Sequence, residues 1–235
     1  MNICVIYNFP TEQHGPDHQL LACRFVGSVL NCPPGIDHTT IVVSSGGPPS
    51  GQARALFSVL PKVQFIETDD VGWDIGNFIR AANQIDCDMM FCCGGPCYFR
   101  RPGWLNRVAA IWQKYGPGFY GTLATFEVRP HINTTGFACP PWLLRQYPKK
   151  VVTREDRYEF EHGENACYIQ AQQKGLPVFL ITWNGIYPPA QFRQVPNGYR
   201  KGTQEDYISF WKHTDLYEQA DPTMKETMAR LADGR

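Results

Sequence analysis

The segment Glu67-Thr68-Asp69-Asp70-Val71-Gly72-Trp73-Asp74-Ile75-Gly76-Asn77-Phe78 decides the fold. An apolar run, Val63-Gln64-Phe65-Ile66, precedes it and reads as a buried strand. Phe78-Ile79-Arg80-Ala81-Ala82-Asn83 follows and reads as the start of a helix. A strand, an acidic loop with glycines and a helix N-terminus, in that order, form the ligand edge of many α/β sheets. Gly72 and Gly76 let the backbone turn tightly or approach a ligand closely. Asp69, Asp70 and Asp74 place three carboxylates within six residues. Like charges repel, so these groups do not meet a bare phosphate. They suit sugar or ribose hydroxyls, a base edge or a cation. The same residues equally make a solvated surface turn with Asp74 capping a helix.

Working outward, Ile3-Cys4-Val5-Ile6-Tyr7 reads as a first strand, apolar on both faces as central parallel strands are, and Asn8-Phe9-Pro10 ends it. The spacing of Leu20, Leu21, Phe25, Val26, Val29 and Leu30 predicts a helix over 17–30. Strands follow at 39–44, 63–67 and 88–92, with helices at 53–60 and 74–84 between them. Pro102-Gly103-Trp104 opens a further helix, with Pro102 at a first-turn position and Leu105, Val108, Ala109 and Trp112 as its buried stripe. This repeated βα order predicts a mostly parallel α/β sheet with right-handed crossovers. The second half changes character. It reads as a strand at 119–126, a loop or short strand at 128–139, a helix at 141–147 and a charged, exposed stretch at 149–158. A helix at 161–174 stopped by Gly175, a strand at 178–182, a flap at 184–202 and a polar helix at 216–231 complete the reading.

The 235 residues fit one large domain or one domain with a tail, read as 1–183 and 184–235, the tail packed on the same domain. With 22 basic and 22 acidic residues the net charge is zero, which argues against binding nucleic acid through overall charge. No run of about 18 apolar residues is present, so no membrane span is expected. The nine cysteines are odd in number, several lie in apolar strand-like runs and no signal peptide opens the chain. Reduced thiols in a cytoplasm fit that pattern. Cys92-Cys93 followed by Cys97 lacks the spacing of a zinc knuckle.

Together these pieces resemble a GT-A glycosyltransferase, closest in pattern to the large family 2, over roughly residues 2–183. Strand one ending in Tyr7-Asn8 and strand two ending in Ser44-Ser45 lie where that fold binds its nucleotide. Asp70-x-Gly72-x-Asp74-x-Gly76-Asn77-Phe78 followed by Ala81 looks like the family's Asn-x-Gly segment. Asp86-Cys87-Asp88-Met89-Met90-Phe91 and Pro102-Gly103-Trp104-Leu105 look like the strand and helix that flank its Asp-x-Asp motif. The resemblance implies a nucleotide-diphosphate-sugar donor, a glycan or other hydroxyl acceptor, and transfer with inversion. It implies donor contacts from Tyr7, Asn8, Phe9, Ser45, Asp69, Asp70, Trp73 and Asp74.

The chain departs from the family at one point. The Asp-x-Asp motif, which holds a divalent cation (Mn or Mg) against the diphosphate, would fall at Cys93-Gly94-Gly95-Pro96, where there is no carboxylate. Three outcomes follow. The charge is met by side chains, for which Arg100, Arg101, Arg193, Arg200 and Lys201 are available. A cation is held by other ligands, His213 and Asp215 being the candidates. Or catalysis is lost. Backbone N–H groups of Gly94 and Gly95 can still face phosphate oxygens.

On the acceptor side, the family's general base opens a helix eleven residues before its terminating glycine. Counting back from Gly175 gives Glu164, within Glu161-His162-Gly163-Glu164-Asn165. An inverting transfer needs one carboxylate to take the acceptor proton. Glu161 and His162 are neighbours that orient it or bind acceptor, and Thr134-Thr135-Gly136-Phe137 looks like the acceptor-facing loop. Glu164 is equally an ordinary acid of a first helical turn. The rival reading is a non-catalytic GT-A-like protein that binds a nucleotide or glycan. A nucleotidyltransferase fits less well, since its basic glycine-rich loop after strand one is replaced by Asn8-Phe9-Pro10-Thr11.

Overall fold

The computed structural model describes residues 1–11 and 16–235. Four parallel strands carry the first half: β1 (Ile3–Pro10), β2 (Thr39–Ser45), β3 (Gln64–Thr68) and β4 (Met89–Cys93). They lie in the order β3-β2-β1-β4, with Ile6 opposite both Ile41 and Cys92. The sequence predicts four parallel strands alternating with helices along the chain, and the structure adds their order in the sheet. The sequence places the end of β1 too early, because Asn8, Phe9 and Pro10 continue the ladder opposite Val43, Ser44 and Ser45.

Strand alternation then sorts the side chains. Ile3, Val5, Tyr7 and Phe9 face one core, shared with α1 (Pro16–Asn31), α2 (Gly51–Phe57) and α4 (Trp104–Tyr115). Cys4 and Ile6 face the other, shared with α3 (Trp73–Gln84), α5 (Pro141–Arg145), α6 (Arg154–His162) and α7 (Cys167–Gln173). Helices therefore cover both faces. The expected stripe Leu105, Val108, Ala109 and Trp112 is buried. Pro102 stands outside α4, because Gly103, at φ +81°, is the residue that turns the chain into the helix.

The second half mixes strand directions. After β5 (Tyr98–Phe99), the predicted strand over 119–126 is two pieces, β6 (Phe119–Gly121) and β7 (Ala124–Thr125). The segment read as a loop or short strand holds β8 (His131–Ile132) and β9 (Gly136–Cys139). β9 enters the central sheet antiparallel to both β4 and β6. Its insertion depends on Gly136, where a Cβ would stand 2.5 Å from both Ser209 Oγ and Thr122 Oγ1. Phe137 then packs edge-on to Phe78 and stacks on Phe119. β10 (Val178–Ile181) runs parallel to β6, and β11 (Ile186–Tyr187) closes that edge antiparallel to β10.

The predicted helix over 161–174 breaks in the middle. Thr153 and Asp156 form a capping box that starts α6 at Arg154, inside the stretch read as exposed charge. α6 stops at Gly163, and the Glu159 carboxylate accepts the backbone N–H and side-chain amide of Asn165, both at 2.9 Å. Those bonds fix a turn before α7. The tail likewise breaks, into β12 (Ser209–Phe210), α8 (Lys212–Gln219) and α9 (Pro222–Ala232), because Asp221 and Pro222 make a fresh helix start. β12 pairs with β5 in a separate two-stranded sheet, and the Ala232 carbonyl accepts the Phe126 N–H, so the tail packs against β5 and the segment after β7.

Candidate functional site

The carboxyl ends of β1 and β4 open into a cleft of about 590 Å³. Its floor carries Asn8, Gly94 and Gly95, and its sides carry Trp73, Asp74, Thr135, Glu161, His162 and the α8 residues Lys212 and His213. A second depression, about 520 Å³, lies at the opposite edge around Asp86, Asp88 and Trp142. None of the predicted site residues lines it.

The decisive loop takes an unusual backbone. Asp70 (φ +64°), Gly72 (φ +80°) and Trp73 (φ +51°) are all left-handed. Gly72 has no alternative, since a Cβ there would meet the Val151 carbonyl oxygen at 2.1 Å. A tryptophan held in this region stores about 1–3 kcal/mol, a cost found where a site demands the geometry. The result swings Trp73, 45% exposed, and Asp74 into the cleft.

Behind the loop, polar groups lock the wall. Asn77, fully buried, donates its amide to Asn8 Oδ1 (2.8 Å) and accepts from the Thr68 hydroxyl (2.7 Å) and Arg80 (2.8 Å). Arg80 also donates to the Val71 carbonyl and pairs with Asp69 at 3.0 Å. Asp70 takes a hydrogen bond from Ser45. Asp69, Asp70 and Ser45 are therefore spent on holding the loop and do not line the cleft. Tyr7 and Phe9 do not line it either. They alternate to the opposite face of β1, where Tyr7 stacks on Phe25 and donates to the Gly95 carbonyl, and Phe9 packs against Phe57. Tyr7 supports the Gly94-Gly95 turn from beneath.

Asp74 faces α6. Its carboxylate pairs with the Arg157 guanidinium at 3.0 Å. Burial pushes the Asp74 carboxyl above its ordinary range, while Arg157 draws it back toward the charged form. Asp74 in turn holds Arg157 more firmly protonated. Glu161, one turn further along α6, accepts the Thr134 N–H (3.0 Å) and hydroxyl (3.2 Å) and lines the cleft. Thr134 is thus a buried support, and Thr135 is the residue of that pair that reaches the cavity. His162 packs 5.2 Å from His131, centroid to centroid, and its pKa is lowered by burial and by that neighbour.

Glu164 does not reach the site. The count back from Gly175 assumed one unbroken helix. The break at Gly163 puts Glu164 on an exposed turn outside the cleft. His213 lines the cleft, with its pKa lowered by burial and by Arg200, but Asp215 points elsewhere. Asp215 takes hydrogen bonds from Arg24, at 2.6 and 2.9 Å, and from Tyr98. The two residues are not brought together. Among the described residues no group of three or more His, Cys, Asp or Glu side chains could hold a metal ion. The carboxylate nearest the end of β4, Asp74, is already paired, so the donor set does not fit a divalent cation.

Sequence reading missed Arg154, Arg157 and Tyr158. The signal was there: Thr153-x-x-Asp156 is a helix start, and positions 154, 157, 158, 161 and 162 then share one helical face. All five line the cleft. Glu127, His131 and Trp211 also line it and carried no such signal. All nine cysteines are free and none lines the cleft. Among the described residues no helix is long and apolar enough to cross a membrane.

Comparison with known proteins bears on the fold. The sequence matches no family model and no curated protein. Solved structures do match in shape. S. aureus TarS 1–349 superposes with a TM-score of 0.54 at 11% identity, covering 98% of this chain and 70% of that one. TarS 1–349 in complex with UDP gives 0.52 at 11% identity, covering 97% and 70%. A longer TarS chain gives 0.53 at 11% identity and covers 80% of this chain, which spans 36% of it. The α/β architecture, with its mixed, mostly parallel central sheet, is the fold of the GT-A glycosyltransferases.

Proposed function

We propose that this chain binds a nucleotide-diphosphate sugar in the cleft at the carboxyl edge of its sheet and transfers the sugar to a hydroxyl acceptor with inversion. One observation carries the reading. A single cavity gathers residues from the segments that the resemblance assigns to the donor (Asn8, Trp73, Asp74, Gly94, Gly95) and to the acceptor (Thr135, Glu161, His162). Glu161 is the general base in this reading. Its carboxylate is fixed by two Thr134 donors and still borders the open space. The acceptor oxygen attacks the anomeric carbon, the bond from that carbon to the diphosphate oxygen breaks, and the acceptor proton passes to Glu161. Trp73 offers a ring face for a base or sugar. The fold neighbour solved with UDP makes UDP-sugars the first donors to try.

The test is transfer and donor hydrolysis by Glu161→Gln and Glu164→Gln. Glu161→Gln is expected to lose at least a hundredfold in kcat while nucleotide affinity changes less than threefold, since a base acts only in the transition state. Glu164→Gln is expected to behave as wild type. Full activity in Glu161→Gln removes the assignment. The bare Cys93-Gly94-Gly95-Pro96 turn favours the second reading, a GT-A-like binding protein without turnover. Tight nucleotide binding with no transfer from any donor would select it.

A further inference from the structure

The charges of the residues that line the cleft do not cancel. Asp74 is matched by Arg157, and Glu127 by the buried Arg200. Two cations that line the same cavity have no ion-pair partner among the described residues. They are Arg154, in the first turn of α6, and Lys212, the first residue of α8. Both side chains are exposed, and Arg154 rests against the Tyr158 ring. The remaining carboxylate of the cavity, Glu161, is held by Thr134. At the end of β4, where carboxylates for a cation would be needed, the chain offers Gly94 and Gly95 beside the already paired Asp74.

The cations suggested by the sequence are all engaged elsewhere. Arg100 pairs with Glu218 and Asp215, and Arg101 lies over Trp183. Arg193 donates to the Asp233 carbonyl, Arg200 pairs with Glu127, and Lys201 pairs with Asp233. None of them lines the cleft.

Resting on the reading above, we infer that Arg154 and Lys212 bind the diphosphate of the donor directly, so that nucleotide binding needs no divalent cation. A diphosphate carries two to three negative charges near neutral pH. Two partly solvated cations from separate elements supply the complementary charge, Arg154 through a planar fork and Lys212 as a point charge. A cation at the end of β4 would find the Asp74 carboxylate tied to Arg157 and would add positive charge to a cavity already lined by two unpaired cations.

Titration calorimetry tests this with UDP, GDP, ADP and CDP, each in EDTA and in MnCl2, followed by the monophosphate of whichever diphosphate binds. One diphosphate is expected to bind within twofold in the two conditions. Arg154→Ala and Lys212→Ala are each expected to weaken it about tenfold and the monophosphate less than threefold, with circular dichroism unchanged because both side chains are exposed. Binding that falls tenfold or more in EDTA overturns the inference and leaves the proposed function standing. Unchanged diphosphate affinity in both variants also overturns it. If none of the four nucleotides binds in either condition, the inference and the proposed function fall together.

Discussion

The two sides of the cleft are built on different principles. The side formed by β1, β3 and α3 is stitched by buried amides and hydroxyls, with Asn8, Thr68 and Asn77 sharing one network and Arg80 closing it. Its polar groups are spent on one another. The side formed by α6, the β8 region and α8 is made of short elements that present Arg154, Glu161, His162, Lys212 and His213 to the open space. In the proposed reading the first side positions the ligand, and the second carries the ionisable groups that face it. One ion pair, Asp74 to Arg157, ties them together. That division separates variants that should damage folding from variants that should damage chemistry.

Cutting the tie should have the largest effect on stability. Arg157→Ala leaves the Asp74 carboxylate buried without its partner, and urea unfolding should show a loss of about 3 kcal/mol. That is the lower end for a broken buried pair, because the Arg157 side chain is 30% exposed. Asp74→Asn in the same background should recover most of the loss, since a neutral amide needs no counter-charge. The deficit of Arg157→Ala should also shrink toward pH 4, where Asp74 takes up a proton more readily in the folded state than in the unfolded one. A loss below about 1 kcal/mol would mean that the two sides are held together by other contacts.

Within the stitched side, Asn77→Ala should cost about 1–3 kcal/mol, because it removes the donor to the Asn8 side-chain Oδ1 and the acceptor of the Thr68 hydroxyl at a wall where Asn77 itself is fully buried. Nucleotide affinity should fall with it, as Asn8 loses its orientation. If stability drops and affinity does not, Asn8 does not position the ligand and the contrast between the two sides weakens.

The stitched side was largely legible in the sequence and the other was not. Apolar strands and helices of 3.6-residue period mark β1 to α4, because most elements there bury a regular face; β3, read as buried, is instead the edge strand of the sheet and buries none of its residues fully. The strand-loop-helix segment at 67–78 was visible for the same reason. Which of its acids point outward was not, because that depends on left-handed backbone at Asp70 and Trp73 and on the bonds Arg80 makes to Asp69 and the Val71 carbonyl. β9 is four residues long and enters the sheet through a glycine and long-range contacts, so it leaves no period to read. Counting along one helix favours Glu164, but that helix stops at Gly163, where the Glu159 carboxylate also holds Asn165 in a turn. Side chains that fold back on the backbone compete with helical bonding, and propensity alone does not register them.

That interruption supplies the smallest and most local prediction. Glu159 is held well below the usual carboxylate range, to about 2, by hydrogen bonds from the Asn165 side chain and backbone and, more weakly, by Lys149. Its folded pKa lies below the unfolded value, about 4.3. The stabilisation is therefore fully present above pH 4.3 and is lost as the pH falls toward 2. Replacement by Gln removes the titration while keeping an acceptor for the Asn165 N–H. The melting temperature of Glu159→Gln should thus sit slightly below wild type at pH 7, with the two curves converging as the pH falls toward 3. Because the carboxylate is solvated, the gap should be a degree or two, near the limit for an exposed interaction. Parallel curves across this range would show that the turn holding Glu164 outside the cleft is set by Gly163 and not by the Glu159 charge. The exclusion of Glu164 would then rest on backbone geometry alone.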